Sequence, residues 1–387
     1  MQIDIIKAFI ENARRTKNIS RPTYQSFLCG KMEKDDDKLN SGKVRAETST
    51  DLTAETVTFD MAENSEPTMS KAEQRKRKRA AKTSQAIFRA IDILFSASQN
   101  ACPYINDKNL ETIDCDEDVV YDDKNGGVCV MDVYRVKTEC ARPAVVLIHG
   151  GGFSAGDKKY RKGLSRFFAI NGFTVFTVNY GLAPDYVFPE PIVQLVNAVN
   201  FVFDNADRFG IDRDRIIVAG DSAGAYYASI VATIGANGDY AAAYGCKVKP
   251  RLLGTVLNCG LYNMQVVLNS KYFLNIDDGV LVSFTGVRKS EFNDYKYKDV
   301  CMPFDYINSD FPPSFLIYSP SDFFCKNQGD VLKDRLDELG VYNEHYEARH
   351  NSAIHCFSLN WRGEDAFAAN ELMMSFAKRL AAGKIKF

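Results

Sequence analysis

The stretch Arg215-Ile216-Ile217-Val218-Ala219-Gly220-Asp221-Ser222-Ala223-Gly224-Ala225-Tyr226 decides the fold. It opens as a short β-branched run and crosses small residues around one serine. It then enters an apolar run that continues to Ile234 with helical composition. A continuous run of this kind suits a strand buried on both faces, as in a parallel sheet. Gly220-Asp221-Ser222-Ala223-Gly224 is a G-x-S-x-G motif placed between strand and helix. A nucleophile on so tight a turn needs neighbours without Cβ bulk. The turn lifts the Ser222 hydroxyl above the sheet edge, and the helix N-terminus behind it favours developing negative charge.

Outward from this stretch the same grammar repeats. Ala144 to Ile148, Phe173 to Val178, Gly254 to Leu257 and Ser314 to Tyr318 read as buried strands. Helical patterns fall between and after them, at Leu164–Ile170, Pro191–Phe209, Ala223–Ile234, Gln328–Leu339 and Asp365–Leu380. Strands alternating with helices predict an α/β fold with a mostly parallel central sheet, helices on both faces and right-handed crossovers. Val119-Val120-Tyr121 and Val128 to Tyr134, around Asn125-Gly126-Gly127, predict a leading β-hairpin. Residues 262–311 break the alternation. They are expected to form an irregular insertion over the carboxyl ends of the strands.

The second chemical signal is His149-Gly150-Gly151-Gly152-Phe153, directly after the strand that ends at Ile148. Bare glycine amides at Gly150, Gly151 and Gly152, with the N–H of Ala223, can converge on one oxyanion. His149 is expected to hold the glycine loop by hydrogen bonding, and Asp221 to support the motif. A serine nucleophile needs a base, and the chain has four histidines. His345 lies in a strand-like stretch. His355 is the preferred base, with His350 in the same loop as the alternative. Asp322, after the strand Phe315–Tyr318, is the expected orienting acid, with Asp330 as fallback. The chain order Ser222, Asp322, His355 is that of the α/β-hydrolases.

Together these motifs resemble the α/β-hydrolase superfamily, and within it the hormone-sensitive-lipase-like carboxylesterases. The resemblance covers Val119 to the C-terminus. Asn179-Tyr180-Gly181-Leu182-Ala183-Pro184 with Phe188-Pro189 is similar to that family's Y-R-L-A-P…F-P segment. Pro312-Pro313-Ser314-Phe315 is similar to its strand entry before the acid. Tyr262 and Phe304-Asp305-Tyr306 resemble a neighbouring branch of polysaccharide-side-chain and small-ester esterases. The chain departs from the family at Gly181, Ala225, Phe323, Phe324 and Lys326. The resemblance implies hydrolysis of carboxylic esters without metal or organic cofactor, and a cap built from the N-terminal region plus an insertion. Short acyl groups are the expected substrates. A hydrolase fold without activity, used as a receptor or interaction module, is disfavoured because all three triad residue types are present in order. An amide or N-formyl hydrolase would use the same triad.

Composition bounds the rest. The 387 residues carry 48 Lys+Arg against 50 Asp+Glu, a net charge of -2, so no global field draws the chain to nucleic acid. No stretch reaches the ~18 apolar residues of a spanning helix. Asp4, Lys7 and Glu11 interrupt the apolar N-terminus, which is expected to be a short helix within Met1–Arg15 and not a leader peptide. The 10 cysteines show no C-x-x-C pair and no His-spaced cluster, which argues against a zinc site. They read as reduced thiols of a cytoplasmic protein. The domain reading is an N-terminal extension over 1–85, partly disordered or cap-associated, and a catalytic domain over 86–387 with a cap-like insertion at about 262–311. Residues 16 to about 82 are poor in large apolar side chains, and the run Arg75-Lys76-Arg77-Lys78-Arg79 reads as the solvated start of a helix from Ala80 in preference to a nuclear-localisation or nucleic-acid patch.

Overall fold

A computed structural model describes residues 71–385, apart from 100, 101, 103, 104, 106, 139 and 270–275. The expected helix within Met1–Arg15 and the extension up to residue 70 lie outside the described residues.

In chain order the main elements are α1 (Lys71–Gln99), β1 (Ile113–Val120), β2 (Val130–Val136), β3 (Arg142–Ile148), α2 (Lys162–Ile170), β4 (Thr174–Val178), α3 (Glu190–Asp204) and β5 (Ile211–Asp221). They continue with α4 (Ala223–Ala236), β6 (Gly254–Asn258), α5 (Ile276–Thr285), β7 (Ser314–Tyr318), α6 (Gln328–Glu338), β8 (Asn343–Glu347) and α7 (Glu364–Ala381). One sheet has the order β1-β2-β4-β3-β5-β6-β7-β8. β1 pairs antiparallel with β2, and β2 antiparallel with β4. Every later pairing is parallel. This is the α/β-hydrolase fold. The β1–β2 pair is the hairpin expected around Asn125-Gly126-Gly127, with Val120 opposite Val130.

The buried strands divide their side chains between two cores, as the period of two demands. Val146, Ile148, Ile216, Val218 and Leu316 face one, covered by α3, α4 and α6. Val145, Leu147, Ile217, Ala219 and Phe315 face the other, covered by α2 and α7. The helix expected over Pro191–Phe209 is interrupted at Asn205. α3 stops at Asp204, and a single turn over Ala206–Phe209 ends at Gly210 with φ 62°. Only a residue tolerant of left-handed backbone closes such a turn cheaply.

The helix expected to start at Ala80 begins at Lys71 instead, so the basic run lies inside it. Arg, Lys, Ala, Gln and Glu are all strong helix formers. The helix is no loose attachment. Ala81, Ser84, Phe88 and Asp92 form one buried stripe at helical spacing. Arg77 donates to the Gly286 carbonyl and to Glu291, each at 2.8 Å, and Gln85 donates to the Ser154 carbonyl at 2.9 Å. The helix is therefore fastened from Arg77 onward to the body and to the segment after α5. Arg75, Lys76, Lys78, Arg79 and Lys82 stay exposed, as expected of a solvated face.

Phe376 of α7 is fully buried against Phe315 of β7, ring centroids 5.6 Å apart. Phe376→Ala is expected to destabilise the fold by about 3–5 kcal/mol. The urea unfolding midpoint measures it, and an unshifted midpoint would mean that α7 contributes little to holding the sheet.

Candidate functional site

β5 ends at Asp221, and Ser222 turns the chain into α4 with φ 53° and ψ -122°, a conformation L-residues rarely adopt. The neighbours explain how it is held. The Ser222 N–H donates to the Asn258 carbonyl at 2.8 Å. A Cβ at Gly220 would stand 2.3 Å from the Gly224 backbone, and one at Gly224 only 2.1 Å from the Ile148 carbonyl oxygen. Both outer glycines of the motif are therefore required by contact, one within the turn and one against β3.

Across this turn the structure brings three distant residues into line. His355 Nε2 lies 2.8 Å from Ser222 Oγ, and His355 Nδ1 lies 2.8 Å from Asp322 Oδ2. The second Asp322 oxygen accepts from the amides of Phe324 at 2.8 Å and Cys325 at 2.9 Å. Burial raises the pKa of Asp322. The attraction of the imidazole and these hydrogen bonds outweigh it, so the carboxyl is held below its ordinary value. The edge of the Phe324 ring packs against the imidazole, centroids 5.0 Å apart.

The alternatives are occupied elsewhere. His350 bonds Asp365 at the start of α7 through its ring Nδ1, 2.9 Å away, and through its backbone N–H. His345 stands exposed on β8, stacked on Tyr318. Asp330 is exposed on α6.

The glycine loop departs from expectation at one residue. Gly150 was expected to help hold an oxyanion, but its N–H is turned to Asp221 Oδ2 at 3.2 Å. The geometry removes it from the donor set. The amides of Gly151, Gly152 and Ala223 have no hydrogen-bond partner among the described residues. His149 donates from Nδ1 to the Gly150 carbonyl at 2.8 Å, stacks on Tyr180, and receives the Tyr180 hydroxyl on its own carbonyl at 2.7 Å. Its full burial, then the nearby Arg161 charge, lower its pKa to about 4, so it is neutral at physiological pH.

Sequence reading missed the residues beneath the loop. Arg161, fully buried, grips Asp221 with two hydrogen bonds, 2.6 Å from Nε and 2.7 Å from Nη2. Asp92 of α1 lies 3.8 Å from the same guanidinium. Its Oδ2 is buried without a hydrogen-bond partner among the described residues. Burial raises the Asp92 pKa to about 7, with Arg161 opposing and Asp221 adding to the rise. Arg161 sits in an unremarkable Tyr-Arg-Lys run, so only its depth in the fold reveals it.

A cavity of ≈ 40 Å³ opens over Ser222. Phe88 of α1, Phe284 of α5, and Met264 and Met302 of the irregular stretch line it, with Phe324 and Cys325 beside the acid. A Cβ on Gly152 would strike the Phe88 ring at 2.2 Å, so α1 lies directly on the glycine loop.

Residues 131–336, more than half of the chain, match the BD-FAE family. The chain belongs to that family. The matched span includes Ser222 and Asp322 and stops short of His355. Over 272 residues this BD-FAE member is 27% identical to the putative alpha/beta hydrolase R526 of Acanthamoeba polyphaga mimivirus, covering 65% of the chain and 73% of the viral protein. It is 38% identical over 93 residues to carboxylesterase NlhH of Mycobacterium tuberculosis, 24% of this chain and 29% of that one. With human arylacetamide deacetylase-like 3 it shares 31% over 127 residues, 32% and 31% of the two chains. The alignments thus span about three-tenths of the mycobacterial and human proteins. Among solved structures, esterase B of Lactobacillus rhamnosus superposes with a TM-score of 0.67 at 20% identity, covering 81% of this chain and 98% of that one. At that identity the likeness speaks for the fold alone. Among the described residues, no helix of this BD-FAE member is long and apolar enough to cross a membrane.

With an unfolded value of 3.8 and a folded value near 7, Asp92 binds more protons folded than unfolded between those limits. Stability therefore falls as pH rises through that window. Asp92→Asn, neutral throughout, should gain up to ~4 kcal/mol over the parent at pH 8 and nothing below pH 4. Thermal melts at both pH values measure it, and parallel curves would refute the burial of a reluctant charge.

Proposed function

We propose that the protein hydrolyses small carboxylic esters through a covalent acyl-enzyme. Ser222 Oγ attacks the ester carbonyl while His355 Nε2 takes its proton. Asp322 accepts from Nδ1–H, which fixes the tautomer and stabilises the imidazolium as it forms. The amides of Gly151, Gly152 and Ala223 hold the oxyanion, and His355 returns the proton to the leaving alcohol. Water activated by the same imidazole then releases the acid. The single observation that carries this reading is the His355 ring, which stands 2.8 Å from the serine on one side and 2.8 Å from the carboxylate on the other.

The cavity supports a short acyl group. It lies directly over Ser222, walled by Phe88, Phe153 and Phe284, which bounds the room beside the nucleophile. Its wall offers aromatic, aliphatic and sulfur side chains and little that would fix a polar acyl chain. The name of the mycobacterial relative fits a carboxylic ester, and that of the arylacetamide deacetylase-like relative fits an acetyl group. The proposed cap consists of α1 together with the described part of the insertion at 262–311, both of which contribute to this wall.

Ser222→Ala is expected to abolish hydrolysis of p-nitrophenyl acetate and labelling by a fluorophosphonate probe. Retention of either would sink the nucleophile assignment. Asp322→Asn should lower kcat by about 10⁴ with the fold intact, because the imidazole then loses its correct tautomer. In an acyl-length series, kcat/KM should drop beyond butyrate, and Phe88→Ala should move that drop to longer chains. An unchanged profile in the variant would exclude Phe88 as the limiting wall.

A further inference from the structure

Three thiols crowd the imidazole of His355, and the proposed hydrolysis uses none of them. Cys259 follows the end of β6, Cys356 follows His355 itself, and Cys325 follows the ring that packs on it. The sulfur atoms of Cys259 and Cys356 and a ring nitrogen of His355 all lie within 4.8 Å of one another, and all three residues are buried. The Cys356 N–H donates to Cys259 Sγ at 3.3 Å, which pins that sulfur beside the ring. The three come from separate parts of the chain or from direct neighbours, so no ligand spacing announces them in the sequence.

We propose that Cys259, Cys356 and His355 form a binding site for a thiophilic divalent cation of the Zn2+ type, and that an ion bound there switches the hydrolase off. Two sulfurs and one imidazole are a familiar zinc donor set with one position left for water. A tetrahedral ion with Zn–S near ~2.3 Å and Zn–N near ~2.0 Å needs its ligand atoms roughly 3.4–3.8 Å apart, a contraction of about 1 Å from the observed upper limit. Side-chain rotation supplies that. Two thiolates also neutralise the ion: Zn2+ plus two thiols and a neutral imidazole give the complex and two released protons. Asp322, Cys325 and His355 form a second triple within the same distance. It offers one sulfur and a hard carboxylate, and the softer pair suits the ion better. Once a ring nitrogen is bound to metal, His355 can no longer bond both Ser222 and Asp322. Because the ligands are buried, the onset of inhibition should be slow.

The inhibitory half rests on the proposed function; the binding half does not. The test uses the full chain freed of metal with a chelator. Calorimetry with ZnCl2 in two buffers of different ionisation heat should give one site and about two protons released at neutral pH. Co2+ in place of Zn2+ should raise a thiolate-to-metal charge-transfer band. Hydrolysis of p-nitrophenyl acetate should decay slowly with Zn2+ and return with EDTA. Cys259→Ser and Cys356→Ser should each weaken binding by more than about 100-fold, since even partners one step behind a ligand cost 10–100-fold. Cys246→Ser, on a residue outside the cluster, should leave it unchanged. Where a serine variant fails to fold, the alanine variant replaces it, and the band and proton count of the unaltered chain still decide. Absence of saturable binding, Co2+ binding without the band, or weakening by Cys325→Ser alone would overturn the site. A metal-free chain without esterase activity would instead strike the proposed function and leave the band to judge the site.

Discussion

The Asp221 carboxylate is the interaction on which the rest of the site depends. One side chain takes two hydrogen bonds from Arg161 and a third from the Gly150 amide. It thereby joins the end of β5, the loop after β3 and the segment entering α2. A charge this deep is tolerated only when it is paired and bonded, and removing one partner of such a pair typically costs 3–5 kcal/mol. Asp92 brings α1 to the same guanidinium, but as the reluctant third member, with one oxygen left unbonded among the described residues. The nucleophile turn, the glycine loop and the N-terminal helix thus share one electrostatic foundation. The neutral His149 stacked on Tyr180 completes it from above without adding charge.

Steric contact does the remaining positioning. Gly224 lies against the Ile148 carbonyl, and Gly152 lies under the Phe88 ring. These two glycines are spaces that the partner needs. Ser222 in its unusual backbone conformation is held by the sheet on one side and the helix on the other, which fixes the direction in which its Cβ leaves the turn and sets Oγ within 2.8 Å of His355 Nε2. Strain of this kind persists only where the surroundings over-determine it.

Much of this was legible from residue order alone, for a physical reason. Strands buried on both faces must be continuous apolar runs, and Ala144 to Ile148 or Ser314 to Tyr318 announce themselves. The turn motif and the glycine run carry their own steric logic, and Ser222 follows from them; strand ends and loop positions favour Asp322 and His355 but leave Asp330 and His350 open, and only the fold separates them. What escaped depends on side chains meeting across the fold. Nothing near Arg161 in the chain says that it will be buried, and nothing in Gly150 distinguishes its amide from that of Gly151. The break at Asn205 and the early start of α1 at Lys71 turn on the balance of propensity and local contact, which a charge run obscures. The cluster at Cys259 and Cys356 is invisible for the same reason: its spacing exists in three dimensions and not along the chain.

The Phe88 ring has an evolutionary consequence. The machinery at Ser222 belongs to the sheet, whereas part of the wall facing it is carried by a helix that precedes the whole sheet in the chain. Changes in that leading helix can therefore retune which molecules are accepted while the reacting groups stay untouched. Such changes are bounded by the two points where the helix meets the machinery, Phe88 on Gly152 and Asp92 beside Arg161.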